Sequence, residues 1–149
     1  MQRPASQRLA GPIAAQQVAA GRTLNAVVLK RAREPASTED GMRVLVDRLW
    51  PRGLTKAQVA ADLWLREVAP SDALRRWFGH EPGRWVVFSN RYRTELERRS
   101  DLLRLLDDLR RSGRVTLIYH ASDAEHNQAV VLQQVLSERH FADPRNQRS

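Results

Sequence analysis

Val44-Leu45-Val46-Asp47-Arg48-Leu49-Trp50-Pro51-Arg52-Gly53-Leu54 passes from an apolar run into charge within four positions. The first three side chains suit a buried, pleated surface and read as a strand. Asp47, Arg48, Trp50 and Arg52 follow, while Pro51 and Gly53 keep the backbone out of regular structure. The charged residues therefore sit on a loop at the carboxyl end of a strand. In α/β proteins ligands bind there, because strand ends and the loops after them form a crevice. The stretch points to a site without naming a reaction.

Working outward, Leu24–Arg31 is strand-like around Val27-Val28-Leu29, Arg43–Asp47 is a second strand and Val115–Tyr119 a third. Residues 54–80 read as short helical pieces. Ser71 is a suitable cap for a helix over Asp72–Phe78, with Asp72 near its positive end and Gly79 as the stop. Pro82 suits the first turn of the next helix, where Trp85, Phe88, Tyr92 and Leu96 recur at spacings of three and four. Ser100 is expected to cap a further helix, with Leu102, Leu103, Leu105, Leu106 and Leu109 as its buried face and Gly113 as its end. Ser122-Asp123-Ala124-Glu125 has the capping-box pattern and is expected to open a last helix with Val131, Leu132, Val135 and Leu136 inward.

Strands separated by helices predict an α/β fold: a single compact domain with a small, mostly parallel sheet flanked by helices. The expected division is a flexible extension over 1–22, the α/β domain over 23–140 and a frayed tail over 141–149. If the strands at 43–47 and 115–119 are parallel, Asp47–Arg52 and His120–Asn127 leave the same edge of the sheet. The second segment also starts a helix, whose free N–H groups favour an anion.

Composition bounds the function. The length of 149 residues suits one domain with a real core, and 42% apolar content with regular polar punctuation is that of a globular chain. No stretch reaches the roughly 18 uncharged apolar residues of a membrane helix. With no cysteine, disulfides, thiolate nucleophiles and Cys-based metal sites are excluded, and a cytoplasmic location is expected. The net charge of +8 is unevenly placed: six charges fall in residues 1–33, which hold no acid, leaving two for the rest. A nucleic-acid partner is thus possible through the basic amino-terminal arm but is not favoured for the folded body. That arm is acid-free like a transit peptide, but a disordered or weakly helical extension is the favoured reading. Neither a cofactor nor an oligomeric state is specified; GxxxxGK[ST] and GxGxxG are both absent.

Several residues carry candidate chemistry, each beside a plainer reading. Asp47 and Arg48 fit a general acid/base and an anion clamp, or a structural ion pair. Arg52 and Lys56 can hold a phosphate or carboxylate, though solvated charge explains Lys56 as well. Trp50 lies within the charged loop and can stack on a ligand, whereas Trp64, Trp77 and Trp85 read as packing residues. His126 is a candidate proton shuttle, with Asn127, Tyr119 and Asp123 as ligand contacts and His80 pointing into the same crevice or closing a helix end. His120, Asp123 and His126 have metal-binding side chains, but the HExxH pattern is missing and no metal is expected.

In this order, four stretches resemble the bacterial and archaeal domain-of-unknown-function family 488, in its YeaO-like branch. They are Val44–Gly53, Ala69-Pro70-Ser71, Leu74-Arg75-Arg76-Trp77-Phe78-Gly79-His80 and Glu125-His126-Asn127-Gln128-Ala129. The resemblance runs from about Leu29 to Leu136. It implies a compact cytoplasmic α/β domain and carries over Asp47, Arg48, Trp50, Arg52, Trp77, His80, His126 and Asn127 as motif positions without roles. The chain departs where the family often has Tyr-Ala-Ala-Lys/Arg-Asp. Here Tyr119-His120-Ala121-Ser122-Asp123 lacks the basic residue, which weakens anion binding by that loop.

The expected function is an enzyme-like domain that binds a small anionic ligand, a nucleotide or sugar phosphate. Arg48 and Arg52 hold the anion, Trp50 stacks, and Asp47 with His126 moves protons. The alternative is a non-catalytic nucleic-acid-binding or regulatory module using the basic arm.

Overall fold

The computed structural model describes residues 25–142. The extension over 1–22 and nearly all of the tail expected over 141–149 lie outside them. Four strands, β1 (Val27–Arg31), β2 (Met42–Leu45), β3 (Leu63–Trp64) and β4 (Val115–Tyr119), form one sheet in the order β1-β4-β2-β3. Every pairing is parallel. β4 is central and buried along its whole length, as expected of a strand flanked on both sides.

Alternation along the strands sorts the side chains onto two faces. Val27, Val44, Val46, Val115, Leu117 and Tyr119 join one large core. That core is completed by helices α2 (Asp72–Phe78), α3 (Trp85–Glu97), α4 (Ser100–Ser112) and α5 (Gln128–Ala142). On the other face, Leu45 and Ile118 pack with Val59, Trp50 and Trp64, beneath a thin cover that includes the one-turn helix α1 (Lys56–Val59). The same face buries a polar knot. Asp40 accepts from Lys30 at 3.1 Å and from Arg43 at 2.6 Å, and Arg43 also donates to the carbonyls of Val59 and Ala60. Burial alone would raise the Asp40 carboxyl, but the Ser37 N–H, Lys30 and Arg43 outweigh it and hold it below its ordinary value.

The α/β expectation and the largely parallel sheet match the molecule, and Val115–Tyr119 is β4 residue for residue. Ser71 caps α2 by accepting from the Leu74 N–H at 3.2 Å, and Gly79 closes it in the left-handed conformation. Phe88, Tyr92 and Leu96 form the buried stripe of α3.

Four local expectations are corrected. Residues 54–80 contain a strand, β3, as well as helical turns. Ser100 is the first residue of α4 rather than its cap, and no side chain caps that helix. Leu105 is exposed, because the inward stripe of α4 passes through Leu103 and Leu106 and then the buried pair Asp107 and Arg110. The last helix begins at Gln128, not near Ser122. Asp123 turns the chain by accepting from the Glu125 and His126 N–H groups, and Asn127 caps the helix by accepting from Val130.

Candidate functional site

Parallel pairing of β2 with β4 brings their carboxyl ends together. Val46 donates to the Ile118 carbonyl at 3.0 Å, which sets Asp47 beside the chain leaving β4. The His120 N–H then donates to Asp47 Oδ2 at 3.0 Å, and the Gln128 amide donates to Asp47 Oδ1. The two polar loops thus meet through the Asp47 carboxylate.

Around this junction lies a cavity of about 480 Å³. The β2 loop lines it with Asp47, Arg48, Trp50 and Arg52. The end of α2 contributes Arg75, Arg76, Phe78 and His80, while His120, His126, Asn127 and Gln128 supply the far side. Four arginines, Arg48, Arg52, Arg75 and Arg76, therefore line the cavity together with a single carboxylate residue, Asp47. The first residue of α5, Gln128, is on the wall, so the positive end of a 15-residue helix adds to the same sign of field.

Asp47 is largely withdrawn from water. Burial pushes its carboxyl up to about 6, against the opposing pull of the His120 N–H and the Gln128 amide. A carboxyl poised near neutrality can both take and give a proton. Arg48 does not pair with it. Instead its Nε and Nη2 donate to the carbonyls of Pro70 and Ala69 at 3.1 and 3.2 Å, fixing the β2 loop to the segment before α2. Neither structural pairing nor a free clamp describes Arg48 fully. It is a brace that also faces the cavity.

Trp50 faces the cavity but is already engaged. Its N–H donates to the Leu54 carbonyl at 2.7 Å, and its ring meets Trp64 edge-on at 5.4 Å. His126 is held from two sides: Nδ1 lies 2.9 Å from Asp123 Oδ2, and the ring meets Trp85 edge-on at 5.1 Å. The Glu125 N–H and the His126 ring keep the Asp123 carboxyl below its usual range. Burial, with Arg33 nearby, lowers His120, whose ring Nδ1 is buried without a hydrogen-bond partner among the described residues.

Seven of the nine residues expected at the site line this one cavity: Asp47, Arg48, Trp50, Arg52, His80, His126 and Asn127. Tyr119 does not. It is buried in the core on the side of the sheet that the helices cover, because it follows Val115 and Leu117 at period two. Asp123 stands behind the wall and orients His126. Lys56 is exposed at the start of α1, away from the cavity. Trp77 packs under Arg91 and Arg84 instead of lining the site. Among the described residues no group of three His, Asp or Glu side chains could hold a metal ion, and no helix is long and apolar enough to cross a membrane.

Sequence reasoning missed Arg75, Arg76 and Gln128 as wall residues, and read His120, at the same sheet edge, only as a metal-type side chain. Arg75-Arg76 carried a signal, a basic doublet just before the helix stop, but it reads equally as charge complementing the helix's negative end. Gln128 carried none, since nothing local tells that its amide reaches a carboxylate 81 positions away.

A family model described as "Inactive DUF488-N3 subclade" matches residues 26–149. The chain is similar to Escherichia coli (strain K12) "Uncharacterized protein YeaO", 40% identical over 103 residues covering 69% of this chain and 90% of that protein. It is also similar to Mycobacterium tuberculosis (strain ATCC 25618 / H37Rv) "Uncharacterized protein Rv3073c", 38% identical over 113 residues covering 76% of this chain and 95% of that protein. No solved structure matches the chain.

Proposed function

The chain belongs to the DUF488 family, in the subclade described as inactive, and we propose that it is a binding domain for a small anionic ligand. The ligand enters the cavity at the carboxyl ends of β2 and β4. The observation that carries the reading is the charge of that cavity: four arginines and a helix amino terminus around a single carboxylate. Arg52 and Arg76 hold the anion directly, since neither has a hydrogen-bond partner among the described residues. Arg48 keeps the β2 loop in place. The family description favours binding without turnover.

One observation favours a second reading. The Asp47 carboxyl, raised to about 6 inside the cavity, is suited to moving protons, with His126 on the same wall as its counterpart. Turnover of a bound anion that disappears in both Asp47→Asn and His126→Ala would favour this enzyme reading.

Thermal-shift and calorimetric titrations with inorganic phosphate, sulfate, sugar phosphates and nucleotides test the binding proposal. At least one anion is expected to raise the melting temperature, by an amount set by its saturation of the folded state. Replacing Arg52 and Arg76 together by alanine is expected to abolish the effect while the variant stays folded. A double variant that retains the full shift overturns the proposal.

A further inference from the structure

We infer that the ligand of this cavity carries two linked phosphoryl groups, a diphosphate, the first held between Arg52 and Arg76 and the second on the rim between Arg52 and Arg33. The inference rests on the anion-binding reading above and narrows it.

It follows from the charge that the folded chain leaves unmatched there. Arg75 is paired with Asp72 at 3.3 Å. Arg48 gives its Nε and Nη2 to the neutral carbonyls of Pro70 and Ala69, which leave its charge uncompensated. Arg52 and Arg76 have no hydrogen-bond or ion-pair partner among the described residues. Asp47 is the only carboxylate on the wall, and burial that pushes its carboxyl up to about 6 makes it a weak counter-charge near neutrality.

The rim adds a further cation. Arg33 lies in the turn that follows β1, and its Nη2 lies 4.0 Å from where a Cβ on Gly53 would stand. Gly53 directly follows Arg52, and consecutive Cα atoms are about 3.8 Å apart, so Arg33 reaches the β2 loop beside Arg52. Burial first, and then the Arg33 charge, hold the His120 ring below its ordinary value, which sets Arg33 near that wall residue as well. Arg33 has no partner among the described residues, and the adjacent Glu34 carboxylate accepts from the Arg31 N–H instead.

Four unmatched guanidinium groups around one carboxylate leave three positive charges gathered at one opening. Such a field concentrates anions, and guanidinium forks match phosphoryl oxygens two at a time. One phosphate brings roughly 1.5 to 2 negative charges near pH 7, and a second linked group makes up the remainder. The cavity of about 480 Å³ is of a size that takes a whole small molecule, so a second group fits beside the first.

Calorimetric titration of the full chain in magnesium-free buffer with inorganic phosphate, inorganic diphosphate, adenosine monophosphate and adenosine diphosphate tests this. Each diphosphate is expected to bind at least about tenfold tighter than its monophosphate counterpart, a difference of about 1.4 kcal/mol. A gain in the inorganic pair alone identifies free diphosphate as the ligand, and a gain in both pairs extends it to diphosphate esters. Arg33→Ala is expected to bring the diphosphate affinity to within about threefold of the phosphate affinity. Lys56→Ala, which removes an exposed cation away from the cavity, is expected to leave all four affinities unchanged. If phosphate and diphosphate bind equally, if Arg33→Ala keeps the full difference, or if Lys56→Ala reduces it as far, the diphosphate inference fails and the anion site stands. If none of the four binds, the underlying reading fails with it.

Discussion

Asp47 is the residue on which the site's chemistry turns, and its energetics run against its apparent role. Its pKa rises from 3.8 to about 6 on folding, so the native state holds the proton more tightly than the unfolded chain does. The stabilisation from the neutral carboxyl is full below about pH 4 and is lost as pH rises through about 6. Asp47→Asn is therefore expected to be roughly 1–2 kcal/mol more stable than the parent near pH 8 and less sensitive to pH between 4 and 7, measured by urea denaturation. A variant less stable than the parent at pH 8 would mean that the His120 and Gln128 bonds outweigh burial. Ligand binding follows the same sign. Sulfate, whose charge is constant over this range, should bind tighter as pH falls through about 6, and Asp47→Asn should bind it tighter than the parent at pH 8. Arg52→Ala is expected to cost about tenfold in anion affinity with a melting temperature within a degree or two, since its side chain is exposed and unpartnered.

At the scale of elements, α2 carries Arg75 and Arg76 to the cavity, and Ser71 anchors it twice. The Ser71 hydroxyl accepts from the Leu74 N–H and donates to Glu95 of α3 at 2.6 Å. Ser71→Ala is expected to cost about 1–2 kcal/mol and lower the melting temperature by about 5 °C, with a small loss of anion affinity as α2 loosens. A change below about 1 °C would show that the Ser71 N–H to Glu95 bond holds the helix alone. Ser71 and Gly79 were both legible in the sequence, because cap and stop chemistry is local. Ser122-Asp123-Ala124-Glu125 misled for the same reason. Its pattern is that of a cap, but Asp123 spends its oxygens on a turn and on His126, so the helix waits for Asn127. β3 was hidden by its length: two residues carry no periodicity, and only pairing with β2 makes Leu63–Trp64 a strand. Tyr119 was misplaced because its position at the strand end was weighed above its parity, which puts it with Val115 and Leu117.

Over the whole molecule, the parallel sheet is what makes the cavity. Asp47 and His120, 73 positions apart, meet only because β2 and β4 point the same way in adjacent places, and that direction was legible from strands alternating with helices. The other side chains that complete the wall were not, since tertiary packing alone brings Arg75, Arg76 and Gln128 to Asp47. The net charge acts separately. Residues 1–33 hold six of the eight net positive charges, while the cavity's arginines belong to the folded body. Deleting residues 1–22 is expected to leave small-anion affinity unchanged while reducing any salt-sensitive binding to DNA or RNA, measured across a salt series. Loss of small-anion binding on that deletion would assign it to the arm.

An amide chemical-shift map of the full chain titrated with sulfate tests the central claim most directly. The account predicts that the largest shifts fall together in residues 47–53, 75–80 and 120–128, saturating with one dissociation constant. Shifts confined to residues 1–22, or centred away from Asp47 on the polar knot of Lys30, Asp40 and Arg43, would contradict it.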